Sequence, residues 1–533
     1  MRRAALRPPH PALASHCRVQ PRPPADFARL PAAGDRGMTL ALDSALRDVL
    51  AGDAERPYLE VRGEWVSLGQ VRAISQAVLE LLEKAGVASD APLGLIARNR
   101  APHVAALFGL LSQRRHVVML HAYQARENLA AELTALAMGA VIADAGDWED
   151  VLRGAAVNAG MLGIALGGER GIAAVTHVPG TAAAGRKFAP SDTAIEMLTS
   201  GTTGPPKRVP ISYATLAAAV QDAIVATAQA NTTDASAPFI QFYPLGNISG
   251  LFGLITCAVR GQPAVLLERF SVDEWVRAVK AYRPSAFMSL PPAAMRMVLD
   301  SDVPREVMSS IPAMRCGSAP LDPSVQREFE ERYGIPVLIN YGATEFCGVI
   351  ANWTIADHRR YRDVKLGSVG RARPGIKLRV TDPDTGQVQA AGEIGRLEVL
   401  APRVSADWVP TTDLARIDAD GFVFLKGRTD SVIIRGGFKV SPEAIAEVLR
   451  RDPAVEDAGV VGLPDPRLGE VPVAAIQLRE GAAPPDVQAL IDAVRSAISP
   501  QAAPVRIAIV EHLPRNGSLK LDRAALRRIL EAA

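Results

Sequence analysis

The chain has 533 residues, 48% of them hydrophobic and 22% charged, with a formal charge of +2. That length exceeds what one hydrophobic core organises, so at least two domains are expected and a peptide hormone or lone binding module is excluded. The near-neutral balance offers no footprint for nucleic acid, and four distant cysteines (Cys17, Cys257, Cys316, Cys347) without a CxxC pair argue against a disulfide framework or a zinc site and for a reducing, cytoplasmic setting.

Residues 1–37 hold seven Arg, seven Pro and no Lys, with no apolar h-region, and read as a disordered tail or a mis-assigned start. Globular character begins at Met38, where Asp43 is expected to cap the first helix. From about Ala91, short apolar runs alternate with amphipathic stretches: PLGLIA then HVAALFGLLSQ, HVVML then NLAAELTALAM, AVIADA then WEDVLRGAA. That alternation predicts a mostly parallel sheet covered on both faces. It returns after residue 238, with PFIQFYP, PAVLLERF, SAFMSLP, MRCGS and PVLINYG as strands of a second α/β layer. Between Gly367 and Leu425 the texture changes to alternating apolar residues and turn signals, the pattern of antiparallel strands. A small α+β pattern follows Arg428. The expected architecture is therefore α/β: an N-terminal domain (38–427) of two α/β layers plus an antiparallel region, and a small C-terminal α+β domain (428–533). No run of about 18 uncharged apolar residues exists, so no membrane span is expected.

The strongest local signal is Thr199-Ser200-Gly201-Thr202-Thr203-Gly204-Pro205-Pro206-Lys207, read as a loop between the strand TAIEML and the helix YATLAAAVQDAI. Two glycines free the backbone, four hydroxyls offer donors and an ammonium follows, the parts needed to wrap a polyphosphate. It is not a Walker loop, because Lys207 is followed by Arg208 where that motif needs Ser or Thr.

TSGTTGPPK resembles the phosphate-binding signature of the acyl-adenylate-forming superfamily, which includes acyl-CoA and aryl-CoA synthetases, adenylation domains and beetle luciferases. Further motifs follow in the family's order. Tyr341-Gly342-Ala343-Thr344-Glu345 is similar to its YGxTE, Asp413 to its TGD aspartate, Gly427-Arg428-Thr429-Asp430 to its GRxD, and Lys520 to its terminal lysine. The resemblance spans roughly residues 40–533.

This resemblance implies ATP, Mg²⁺ and coenzyme A as cofactors and a small carboxylic acid as substrate. It implies that Thr199 to Gly204, Lys207, Ser318, Ala319, Pro320, Gly342 and Arg428 surround the nucleotide. By the same resemblance Tyr341 stacks on adenine, Thr344 meets the α-phosphate, Glu345 ligates Mg²⁺, Asp413 takes the ribose hydroxyls, and Lys520 bridges carboxylate and nucleotide. The acid pocket is expected around Asn247, Ile248, Gly250, Gly317 and Gly348. Asp430 would be the hinge of a rotating C-terminal domain, with Gly437 and Lys439 lining a pantetheine tunnel. Lysine is scarce, nine against fifty arginines, yet Lys207, Lys426, Lys439 and Lys520 fall in or beside these motifs.

Some positions depart from the pattern. Asn247 replaces a common histidine, Gly246 a bulky aromatic, Thr412 the TGD glycine, and Leu519 the glycine before the terminal lysine. No acidic residue lies in 246–250, where amino-acid-activating relatives place one. The sequence thus points to an AMP-forming acid:CoA ligase. Two alternatives remain: an adenylation enzyme loading a carrier protein's pantetheine arm, and a non-catalytic nucleotide-binding relative.

Overall fold

The computed structural model describes residues 40–167, 174–199, 207–229, 237–429, 431–436, 438–517 and 519–532. The five-residue apolar runs become strands because both faces are covered, so that Leu93–Ala97 is buried at every position. Leu93–Ala97, Val117–His121, Ala140–Asp144, Leu162–Gly167 and Thr193–Thr199 pair in parallel. Ala174–His177 and Lys207–Ser212 close the two edges antiparallel, completing seven strands. The helix Ala101–Ser112 is buried on all sides, since it lies between this sheet and the capped helix Leu68–Lys84.

A second sheet runs in the order Met288–Ser289, Met314–Cys316, Val337–Ala343, Gly348–Asn352, Arg371–Ala372. Its first three strands are parallel and the last two antiparallel. The expected antiparallel region is a four-stranded sheet of Lys377–Thr381, Ile394–Leu400, Val409–Ile417 and Val423–Arg428. The C-terminal sheet combines Phe438–Val440, Ile433–Arg435, Gly469–Leu478 and Val455–Asp465, with Arg506–Val510 added in parallel to Gly469–Leu478. Separate apolar clusters underlie the first two sheets and the C-terminal one, matching a large part and a smaller one.

Three local expectations are corrected. PFIQFYP and PAVLLERF do not join the second α/β layer: Phe239–Gln241 and Ala264–Leu266 form a separate sheet with the hairpin Pro57–Val61/Glu64–Ser67. A further strand, Lys207–Ser212, intervenes between TAIEML and the helix Tyr213–Gln229, so the phosphate-type loop connects two antiparallel strands instead of a strand and a helix. Asp43 is not a cap. Ala41 holds that position, and Asp43 sits buried in the first turn, 2.9 Å from Arg47 Nη2. No described helix is long and apolar enough to cross a membrane. The tail 1–37 lies outside the described residues.

Candidate active site

Tyr341 and Gly342 lie near the end of the strand Val337–Ala343, and the chain then makes a short turn, Thr344–Phe346, that carries Thr344 half-buried and Glu345 exposed. Gly342 is required there, since a Cβ would lie 2.3 Å from the Gly348 carbonyl oxygen of the returning strand. Asp413 faces Arg428 as a cross-strand pair at the end of the antiparallel sheet. The Tyr341 hydroxyl donates to Asp413 Oδ2, and Thr411 Oγ1 accepts from the Asp413 amide at 3.1 Å, which fixes the carboxylate beside the tyrosine.

Lys520 reaches the same place from the C-terminal domain. It sits on a tight loop in which Asn516 N–H donates to the Lys520 carbonyl at 2.8 Å and Lys520 N–H to Asn516 Oδ1 at 3.1 Å. Burial lowers the Lys520 pKa below the ordinary lysine value, and the Arg428 charge lowers it further, with Asp413 opposing. Burial, the Asp413 carboxylate and Glu345 together hold the Tyr341 hydroxyl well above its usual pKa, so it remains a donor. The loop tip is seated on the large domain: a Cβ at Gly517 would come 3.2 Å from the Tyr123 ring, against which the guanidinium groups of both Arg98 and Arg269 stand.

Tyr341, Asp413, Arg428 and Lys520, distant in sequence, are thus brought together across the junction of the two domains. Glu345 meets no cation among the described residues. An exposed carboxylate with hard oxygens and no internal partner fits a Mg²⁺ ion that takes its remaining ligands from phosphates and water. Among the described residues no cluster of three metal-binding side chains exists.

The expected acid-pocket residues divide. Ser318 holds φ +72° and its Oγ lies 3.2 Å from Ser249 Oγ, joining the segment after Met314–Cys316 to the helix Ile248–Val259. Gly317 abuts Asn340, and Gly348, at φ +128°, faces the Phe252 ring, 3.7 Å from where a Cβ would stand. Ile248 is half-buried against the first core cluster and Asn247 begins the helix. Gly250 is buried and packs against the turn before the helix, where a Cβ would lie 2.3 Å from the Pro244 carbonyl oxygen. Ala319 is half-buried, while Pro320 and Lys207 are exposed. Ser200, Gly201, Thr202, Thr203, Gly204, Asp430 and Gly437, and the side chains of Thr199 and Lys439, lie outside the described residues; in the ladder Thr199 pairs with Lys207 at the base of the loop.

Three residues were missed by sequence reasoning. Buried Asn99 donates to the carbonyls of Tyr243 at 3.1 Å and Leu267 at 3.0 Å and accepts from Leu245 N–H at 3.1 Å, clamping the turn that leads into the pocket. His121 faces Gly246, its ring nitrogen 3.3 Å from where a Cβ would stand, and burial lowers its pKa. The glycine at 246 was the signal for a ring arriving from elsewhere. Phe252 carried no signal beyond its place four residues past Ile248.

Residues 46–406 match the AMP-binding enzyme family, and residues 444–520 match the AMP-binding enzyme C-terminal domain. The chain belongs to the AMP-binding enzyme family. It is 29% identical over 359 residues to the peroxisomal OPC-8:0-CoA ligase 1 of Arabidopsis thaliana, covering 63% of this chain and 64% of that protein. The chain therefore spans slightly less than two thirds of the length of that relative. Among solved structures, the o-succinylbenzoate CoA synthetase of Bacillus subtilis bound to its acyl-adenylate superposes with a TM-score of 0.72 at 25% identity, covering 91% and 97% of the two chains. ATP-bound MatB from Rhodopseudomonas palustris gives 0.77 at 23% identity over 93% and 99%.

Proposed function

We propose that this AMP-binding enzyme is an ATP-dependent, AMP-forming carboxylic acid:CoA ligase. The observation that carries the reading is the meeting of Tyr341, Asp413 and Arg428 with Lys520 across the domain junction. A carboxylate is a poor electrophile. Its oxygen attacks the α-phosphorus of ATP, the bond to pyrophosphate breaks, and the acyl-adenylate formed carries AMP as a good leaving group. A thiol then attacks the acyl carbon, its proton is lost to solvent, and AMP departs.

In this scheme Asp413 accepts the ribose hydroxyls in place of the Tyr341 hydroxyl, leaving the tyrosine ring for adenine. Thr344 donates to the α-phosphate, Ser318 and Ala319 border the nucleotide, and the loop from Thr199 to Gly204 with Lys207 wraps the phosphates. Glu345 is the ligand for Mg²⁺, which when bound spreads the charge of the departing pyrophosphate. Lys520 holds the substrate carboxylate against the nucleotide. Its lowered pKa means that anionic ligands raise it again, so binding both orients the acid and fixes the ammonium charge.

The thiol step requires Lys520 to leave. A hinge at Asp430, between a 38–427 domain and a 428–533 domain, suits the point where Val423–Arg428 ends one sheet and Ile433–Arg435 begins another. Rotation there would bring Gly437 and Lys439 to a tunnel for the pantetheine arm of CoA. Ile434 and Phe438, exposed beside that loop, would be covered by the same turn. Three described cysteines are free and buried, consistent with a reducing compartment, and the cytoplasm is the proposed setting.

Pyrophosphate release with ATP, Mg²⁺ and a panel of carboxylic acids, run with and without CoA, tests the reading. Acid-dependent release that CoA accelerates is expected. Release that responds only to a phosphopantetheinylated carrier protein would replace CoA by a carrier, and ATP binding with no release for any acid would leave a nucleotide-binding protein.

A further inference from the structure

Arg315 lies in the strand Met314–Cys316 between two residues that are fully buried in the second core cluster. Strand alternation turns it to the opposite face, the face of Gly317 and of its register partners Ser289 and Leu338. That face is covered by the turn leading into the helix Ile248–Val259, because Tyr243 meets Ser289 there, hydroxyl to hydroxyl, at 3.1 Å. Ser318, three residues beyond Arg315, touches Ser249 of the same helix. Arg315 therefore borders the region where the acyl group would sit, one strand residue before the nucleotide-facing segment.

The guanidinium stands 5.4 Å from the Phe287 ring, and no carboxylate among the described residues pairs with it. The charged neighbour that it does feel is Arg373, whose own side chain turns to the Asp222 carbonyl of the helix Tyr213–Gln229. Burial, reinforced by Arg373, lowers the Arg315 pKa to about 10, so it is still a cation at neutral pH. Arg315 is half-buried, and a guanidinium partly withdrawn from water is best compensated by an anion or by several acceptors. Arginine's planar fork suits a carboxylate in two-point contact.

We infer that Arg315 binds a second carboxylate of the substrate, so that the acid activated is a dicarboxylic acid whose distal group reaches the Met314–Cys316 strand. This rests on the acid-activating reading above and names the class of acid. The reacting carboxylate goes to Lys520 and the nucleotide, and the distal one to Arg315, with the small residues Gly317, Ser318 and Gly348 between them.

The test uses the full-length protein with aliphatic and aromatic dicarboxylic acids, each beside its monoamide. Two quantities are read: acid-dependent pyrophosphate release, and thermal stabilisation by each acid in the presence of ATP. The wild type is expected to favour one dicarboxylate over its monoamide on the order of 100-fold. In Arg315→Met that ratio collapses towards one, and Arg315→Lys restores part of it. Arg315-dependent discrimination in stabilisation without pyrophosphate release would uphold the inference and sink the ligase reading. A wild type that takes the monoamide as well as the diacid, that shows neither stabilisation nor release with any diacid, or an Arg315→Met enzyme with an unchanged ratio, would overturn it.

Discussion

Basic side chains gather at the rims of both parallel sheets, and the two rims treat them oppositely. At the first sheet Arg98, Arg100 and Arg126 meet Asp144, Asp147 and Glu268: Arg98 reaches Asp147 at 2.5 Å, Arg126 the same carboxylate at 2.7 Å, and Arg100 lies 2.7 Å from Asp144 and 2.9 Å from Glu268. Three cations and three anions cancel. At the second rim Arg315 has no carboxylate partner among the described residues, and Lys520 feels Arg428 more strongly than Asp413. The first arrangement is closed, its charges spent on holding loops together. The second leaves Arg315 without a paired carboxylate among the described residues, the kind of place that takes an anion.

The contrast breaks most visibly if a charge is removed from the closed rim. Asp147→Asn leaves Arg98 and Arg126 without their shared buried anion and is expected to cost about 3–5 kcal/mol of stability, seen as a lower denaturation midpoint. If the midpoint stays within error, the rim is not the structural network described. At the open rim the expectation reverses. Lys520→Ala removes a repelled cation, so stability should hold, while the acyl-adenylate half-reaction falls roughly 10²- to 10³-fold in pyrophosphate exchange with ATP binding kept. Adenylate formation at the wild-type rate would show that the lysine has no part in the first step.

Much of this was legible in the sequence, and unevenly so. Strands such as Leu93–Ala97 and Val117–His121 declare themselves because burial on both faces demands continuous apolar runs. The YGATE, Asp413 and Lys520 segments, far apart in the chain, include residues that the fold brings together, Tyr341, Asp413 and Lys520. What stayed hidden depends on pairing across the chain. The Pro57–Val61 hairpin gives no local hint that Phe239–Gln241 and Ala264–Leu266 will join it, and nothing in MRCGS says which residues will share a face with Arg315 once the sheet forms. Asn99 clamps a turn some 145 positions away, a relation that local periodicity cannot carry.

A smaller effect sharpens the comparison through pH. Glu330, in the helix Pro323–Tyr333, is another internally neutralised anion, accepting from His358 Nε2 at 2.7 Å, Arg362 Nε at 2.6 Å and Val337 N–H at 2.9 Å. Burial pushes its pKa up, but His358, the Val337 amide and Arg362 together hold it below the ordinary glutamate value. The folded state thus prefers the ionised form. Its contribution is full above the unfolded pKa and disappears as pH falls through the lower folded one. Glu330→Gln should therefore flatten the acid limb of the stability profile by on the order of 1 kcal/mol below about pH 4.5. An unchanged acid limb would mean that the cluster is not neutralised as the geometry implies.

The smallest expected effect lies where the two domains meet. Leu519 holds φ +61°, a left-handed conformation that costs a branched side chain roughly 1–2 kcal/mol, yet it packs against the second core cluster of the large domain. Burying that side chain returns a similar amount, about 1.5–3 kcal/mol at full burial and less for a half-buried leucine. Leu519→Gly removes both terms together, so global stability should move by less than about 1 kcal/mol. The docking should not be so indifferent, because the strain belongs to the loop while the contact belongs to the interface. Without the leucine, the Lys520 loop keeps its turn but loses its anchor on the large domain. Proteolysis in the 428–433 connection should then quicken without ATP, and the CoA-dependent half-reaction should gain relative to adenylation. If cleavage stays as slow as in the wild type, Leu519 does not hold the open rim shut over its ligands, and seating of Gly517 on Tyr123 suffices for docking.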